Sequence, residues 1–186
     1  MGWEGSGCPV IVRGTTLEYR RALAAVVRPD DLCVEIGSAA GVTCLQLART
    51  ASRVVGVDSA VGEVAGAVAN ARREGFWTSR EQDEDNADND VHLPIVVQFV
   101  VAQVREDDCE TSLAPLVALL AEHKGQGLSD VTLLALDIAG TAPLESITPL
   151  IVSLRRLMKP RVTVVKSLTL KKLLVAVNAG EALVSG

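Results

Sequence analysis

Short runs of β-branched and aliphatic residues alternate along this chain with stretches whose apolar positions recur at helical spacing. The strand-like runs are LCVEI (32–36), RVVGV (53–57), IVVQFVV (95–101), VTLLALDI (131–138) and RVTVVK (161–166). They are apolar continuously rather than at alternate positions, which means burial on both faces. Between them, residues 42–50, 60–74, 112–123 and 144–158 carry the three- and four-residue apolar spacing of helices, with Thr111 the expected cap of the third. Another helical stretch, TLEYRRALAAVV, precedes the strand at 32–36. This alternation predicts an α/β protein with a doubly wound, mostly parallel sheet and helices on both faces.

A chain of 186 residues, 48% of them hydrophobic, is long enough for one sizeable core, so residues 1–186 are read as a single domain. Residues 76–90 break the rhythm. Six of the ten residues in EQDEDNADND (81–90) are acidic and none is basic, so this stretch repels itself and is expected to be a flexible, solvated insertion. Setting those acids aside, the net charge of −5 becomes about +1 for the remainder. From Ile151 to Gly186, seven bases stand against Glu181 alone, which makes this C-terminal part a candidate basic surface and RNA a candidate partner. No run reaches the roughly 20 apolar residues of a membrane span, and the first residues lack the pattern of a signal peptide, so a soluble cytoplasmic protein is expected. Cys8, Cys33, Cys44 and Cys109 are irregularly spaced with no C-x-x-C, which points to reduced thiols rather than to a metal site or disulfides.

The stretch richest in chemistry is VEIGSAAG, residues 34–41, where an apolar strand ends at an acid and turns through two glycines. In open parallel sheets, ligands bind beyond the carboxyl ends of the strands, where strand order reverses. Gly37 lets the chain turn sharply, and Gly41 lets the next helix begin close to the strand with its amide groups facing a ligand. The dinucleotide pattern G-x-G-x-x-G is not met, and no Gly-Lys-Ser/Thr follows as in a phosphate-binding loop. What remains is acid-x-Gly-x-x-x-Gly, with Glu35 expected to look into the pocket and meet a cationic group such as an ammonium.

These residues resemble the first motif of class I S-adenosylmethionine-dependent methyltransferases, acid-x-Gly-x-Gly-x-Gly. Glu35, Gly37 and Gly41 match, and Ala39 replaces the middle glycine. The resemblance implies S-adenosyl-L-methionine as cofactor, held around Glu35, Gly37, Ser38 and Gly41. The second strand-like run ends in Asp58, 21 residues after Gly37, where the family's acid bonds both ribose hydroxyls. Gln103 falls where the family receives the adenine amino group, and Asp137 falls at the edge of the methyl-transfer site.

The acceptor depends on the ends of the last two strand-like runs. The Asn/Asp-Pro-Pro-aromatic motif of base amino-methylation is absent after Leu136, as is the paired-glutamate hairpin of arginine methylation. Asp137 and Lys166 resemble two members of the Lys-Asp-Lys-Glu tetrad of FtsJ-like RNA ribose methyltransferases. On that resemblance they are the catalytic residues, and no metal is required. The first lysine has only Arg20 or Arg21 near its place, and the closing glutamate is not assignable. The family's sheet also closes with an antiparallel strand pair for which little sequence follows Ser167. Alternatives are a catalytically silent nucleoside- or partner-binding module, a small-molecule methyltransferase, and a nicotinamide-dependent oxidoreductase, which the missing middle glycine disfavours.

Overall fold

One six-stranded sheet organises the protein. Its strands are β1 (Val10–Arg13), β2 (Leu32–Ile36), β3 (Arg53–Asp58), β4 (Val96–Val101), β5 (Leu133–Leu136) and β6 (Val162–Lys166). They lie in the order β1-β6-β5-β2-β3-β4, and every pairing is parallel. The computed structural model describes residues 8–76, 78, 96–105, 107–122, 125–138 and 142–184. Apart from Phe76 and Thr78, the expected acidic insertion lies outside the described residues.

The continuous apolar runs are buried as their composition requires, with every residue of β2 and β5 buried. On one face, α1 (Thr16–Val26), α2 (Val42–Ala48) and α3 (Val61–Arg73) cover a core that includes Tyr19, Leu23, Cys44, Leu47, Val54 and Val164. On the other, α4 (Cys109–Ser112), α5 (Ala114–Ala121) and α6 (Leu144–Met158) cover Val34, Val57, Leu116, Leu134, Leu154 and Val165. From β2 the chain steps outward through β3 and β4, then returns to β2's other side as β5. Strand order therefore reverses between β2 and β5, and the crevice of a doubly wound sheet opens at their carboxyl ends.

Two expectations need correction. Thr111 does not cap a helix but lies inside α4; the chain breaks at Leu113, and α5 starts afresh with Pro115 in its first turn. Proline lacks an amide hydrogen and is tolerated there because that donor has no partner in the first turn. The other concerns the sheet edge beyond β6. The position where the resembled family closes with antiparallel strands is held instead by β1, which runs parallel to β6 from Val10 beside Thr163 to Arg13 beside Lys166. Only four residues long and set between Pro9 and Gly14, β1 is too short to stand out by composition.

β1 is nonetheless firmly placed. Thr15 and Glu18 form a reciprocal cap at the start of α1, each side chain accepting the other's backbone N–H at 3.2 Å. Lys171 of α7 (Leu168–Val184) donates to the same Glu18 carboxylate at 2.8 Å, and the Ser167 amide donates to the Arg13 carbonyl at 2.8 Å. The turn after β1 is thus clamped to the turn after β6.

Phe99 of β4 fills the space over Gly56 and Gly41. A Cβ on Gly56 would lie 2.6 Å from the ring and 2.9 Å from Cys44 Sγ, whereas a Cβ on Gly66 in α3 meets nothing within 4 Å. Gly56→Ala should therefore destabilise the fold by about 1–3 kcal/mol through overpacking. Gly66→Ala should stabilise it by about 0.5–1 kcal/mol through helix propensity. Urea unfolding of the two variants against the wild type checks both signs.

Candidate functional site

The turn between β2 and α2 is shaped by its neighbours. Gly37 has φ 82°, and a Cβ there would come within 2.2 Å of the Asp137 carbonyl oxygen, so only glycine permits the turn to pass this close to the end of β5. Gly41, at φ 78°, abuts the Phe99 ring, which a Cβ would approach to 2.7 Å. The Gly37 and Ser38 amides both donate to the Val57 carbonyl, at 2.8 and 3.1 Å, which ties the turn to β3 as well.

Ala39, at the position of the family's middle glycine, adopts the left-handed conformation with φ 43°. That backbone costs a non-glycine residue about 1–2 kcal/mol. Asp58 offsets it. One carboxylate oxygen accepts the Ala39 amide at 2.8 Å, and the other accepts the Ala60 amide at 2.9 Å. A carboxylate has about four lone-pair positions, so Asp58 retains acceptor capacity toward the crevice. Ser38 is 5% exposed, and its Oγ has no hydrogen-bond partner among the described residues. A buried hydroxyl without a partner is costly in a native fold, where nearly all such groups are bonded.

On the other side of the turn, Lys166 Nζ lies 2.7 Å from one Asp137 oxygen and 2.9 Å from the other. Their side chains are about one-fifth exposed, at 19% and 20%, so the pair is partly desolvated yet faces the crevice. The structure thus brings together the two strand-end residues that the sequence singled out. Arg20, proposed near the missing lysine's place, donates instead to Thr43 Oγ1 at 3.1 Å.

Glu35 differs from expectation. Rather than opening onto the crevice, it is 1% exposed beneath the turn, where Tyr19 Oη donates to one oxygen at 3.1 Å and Cys44 Sγ to the other at 3.0 Å. The alternation of β2 turns it toward α1 and α2, into the core with Cys33 and Cys44. Burial without a cation at its side pushes the carboxyl up to about 7, with Asp137 adding in the same direction. The same burial and the Glu35 charge raise the Tyr19 hydroxyl and the Cys44 thiol above their ordinary values, so both remain donors.

Gln103 is exposed in the segment after β4. Just beyond it, Val104, Arg105, Ile138, Ser146 and Ile147 line a cavity of about 300 Å³ at the carboxyl ends of β4 and β5, on the α6 face. This is the lower end of small-molecule site volumes. Its lining was not legible beforehand, because Ser146 and Ile147 read only as positions on a helix. The basic C-terminal part is also not one surface. Arg161 pairs with Asp31, Lys171 with Glu18 and Lys166 with Asp137, and Arg161 and Lys166 sit at opposite ends of β6.

No protein-family model matches this sequence, and no curated protein matches it. Among solved structures, the chain is similar to precorrin 8w decarboxylase of Methanobacterium thermoautotrophicum, with TM-score 0.52 and 17% identity over 92% of this chain and 73% of that one. It is also similar to PRMT6, with TM-score 0.52 and 14% identity over 78% of this chain and 40% of that one. Against PRMT6 crystallised with SAH, the TM-score is 0.50 at 15% identity, again over 78% and 40% of the two chains. The fold is that of a Rossmann-like methyltransferase. At these identities the likeness concerns architecture alone, and the chain spans well under half the length of PRMT6. No helix among the described residues is long and apolar enough to cross a membrane.

Glu35 generates a pH dependence with a definite sign. Below its ordinary value of 4.5 the carboxyl is protonated in both folded and unfolded chains, whereas between 4.5 and about 7 only the unfolded chain ionises. Stability therefore falls as pH rises through this window, by on the order of 3 kcal/mol in all, and the loss is constant above it. Glu35→Gln removes the titration. Its stability relative to wild type should rise from pH 5 to pH 7 and level off by pH 8, read from urea unfolding at each pH; parallel curves for the two proteins would refute the buried titration.

Proposed function

We propose that this chain binds S-adenosylmethionine across the carboxyl ends of β2, β3 and β4 and catalyses methyl transfer to an acceptor over β5 and β6, with RNA as the acceptor. The observation that carries the reading is the unpartnered, buried Ser38 hydroxyl inside a glycine turn flanked by Asp58 on one side and the Asp137–Lys166 pair on the other. These residues fit the cofactor: Asp58 has lone pairs free for ribose hydroxyls, Ser38 lacks a partner, and the cavity beyond Gln103 offers an apolar slot for a flat ring. When bound, the cofactor supplies a methyl group on a sulfonium, an electrophile that needs only an aligned nucleophile.

The roles of the chain's own residues follow from the pair. Lys166, holding both Asp137 oxygens, acts as a cation rather than as a base, with an N–H left over for the acceptor oxygen. Asp137 is the carboxylate within reach of the proton that a hydroxyl acceptor loses as its oxygen takes the methyl group. The ribose hydroxyl of RNA suits this arrangement, and the Asp137–Lys166 geometry supports it over a nitrogen acceptor, which would need no such pair. A chain that binds the cofactor product but turns over no acceptor would support the silent binding module.

Two variants test the reading. Asp58→Ala should weaken binding of S-adenosylhomocysteine by about 1–3 kcal/mol, the scale of hydrogen bonds to a charged group. Lys166→Met should leave that affinity within a few-fold while slowing methyl transfer from radiolabelled cofactor to RNA by about 100-fold. Undiminished transfer by Lys166→Met would remove the lysine from the mechanism.

A further inference from the structure

The pairing of β1 with β6 puts Arg13 one strand outward from Lys166, at the free edge of the sheet. Ile36 is beside Leu136, Leu136 beside Val165, and Val165 beside Val12. One step further along this register lie Gly37, Asp137, Lys166 and Arg13, in adjacent strands about 5 Å apart. Ile11 packs into the core under α1 and Val12 into the opposite core, so alternation places the Arg13 side chain on the α1 side, the same face as Lys166 next to Val165.

Lys166 is neutralised by Asp137, but Arg13 has no acidic partner among the described residues. Its Nη1 donates at 2.8 Å to the Val12 carbonyl, which faces the free edge of β1 because the Pro9 and Arg13 carbonyls face β6, and the rest of the guanidinium fork is open along that edge. Its backbone is held by the Ser167 amide, so the side chain projects from a rigid strand end rather than from a loose terminus.

We infer that Arg13 is a positioning residue for the acceptor, binding an anionic oxyacid group, a phosphodiester of single-stranded RNA, one strand outward from the Asp137–Lys166 pair. This rests on the methyl-transfer reading above. An acceptor whose reacting oxygen lies over Asp137 and Lys166 extends outward over β1, because the cofactor's side of the row is taken by the 37–41 turn. A planar fork of N–H donors matches a phosphate in a way that a point charge does not. The spacing of one strand also suits a ribose hydroxyl and its neighbouring phosphate.

The test measures binding of a labelled 20-nucleotide single-stranded RNA of mixed sequence at several salt concentrations, with the affinity for S-adenosylhomocysteine in parallel. Arg13→Gln should reduce the slope of log affinity against log salt by about 0.7, the loss of one phosphate contact on a single strand. It should also raise the RNA KM of methyl transfer about ten-fold and leave cofactor-product affinity within two-fold. Arg13→Lys should keep the slope while weakening binding several-fold, since it retains the charge without the fork. Arg28→Gln, an exposed base just before β2 at the opposite end of the sheet, serves as the control and should change none of these. An Arg13→Gln slope equal to wild type, an equal loss from Arg28→Gln, or a wild-type chain that does not bind RNA would overturn the assignment. Cofactor-product binding with Arg13-independent RNA binding would leave the methyltransferase reading standing. An Arg13-dependent slope without cofactor-product binding would uphold the phosphate contact and overturn that reading.

Discussion

The candidate site depends on how closely the 37–41 turn passes the end of β5. With 2.2 Å between the Asp137 carbonyl and the place of a Gly37 Cβ, no side chain fits, and the turn is pressed against the strand that carries Asp137. That one approach sets the rest. It places Ser38 under cover without a partner, aims the Ala39 amide at Asp58, and leaves Asp137 to reach sideways to Lys166. The positive φ of Ala39, where glycine would be unstrained, is tolerated because Asp58 holds its amide.

Charge is distributed by the same parallel register. At the carboxyl ends the sheet presents Asp58, then the glycine turn, then Asp137 paired with Lys166, then Arg13, so the crevice runs from an acidic to a basic side. At the amino ends, Asp31 and Arg161 satisfy each other, and Arg53 is buried with its guanidinium bonded to Gln98, Gln126 and the Leu119 carbonyl. Most polar groups at that end are bonded internally, with Arg155 Nε the exception, while the carboxyl end keeps a hydroxyl without a partner and a half-used carboxylate. Buried polar groups left unsatisfied in a native fold are few; of the two such side-chain atoms among the described residues, Ser38 Oγ lies inside the glycine turn and Arg155 Nε in the last turn of α6.

The architecture was legible because continuous apolar strands leave a strong signal. β2, β3, β5, β6 and α6 start and end within a few residues of the runs that predicted them. So were the places of Asp58, Asp137 and Lys166 at the carboxyl ends of β3, β5 and β6, since a parallel sheet sends every strand end to one side. β1 was not, for four residues next to a proline and a glycine carry too little pattern. Arg13 was lost with it. Nor was the orientation of Glu35 legible: alternation turns it under the turn, but which core receives it depends on which side α1 packs. The capping box at Thr15 and Glu18 was written in the sequence as Thr-x-x-Glu, a signal available from spacing alone.

The central claim is that a nucleoside sulfonium cofactor rests on this turn, and its most direct measurement follows backbone amide resonances of the isotope-labelled protein during titration with S-adenosylhomocysteine. The account predicts saturable shifts centred on Gly37, Ser38, Ala39, Gly41 and Ala60, whose amides line the turn or bond to Asp58, with NAD leaving them unmoved. Shifts confined to residues away from the carboxyl ends of β2 and β3, or a response to NAD alone, would contradict it.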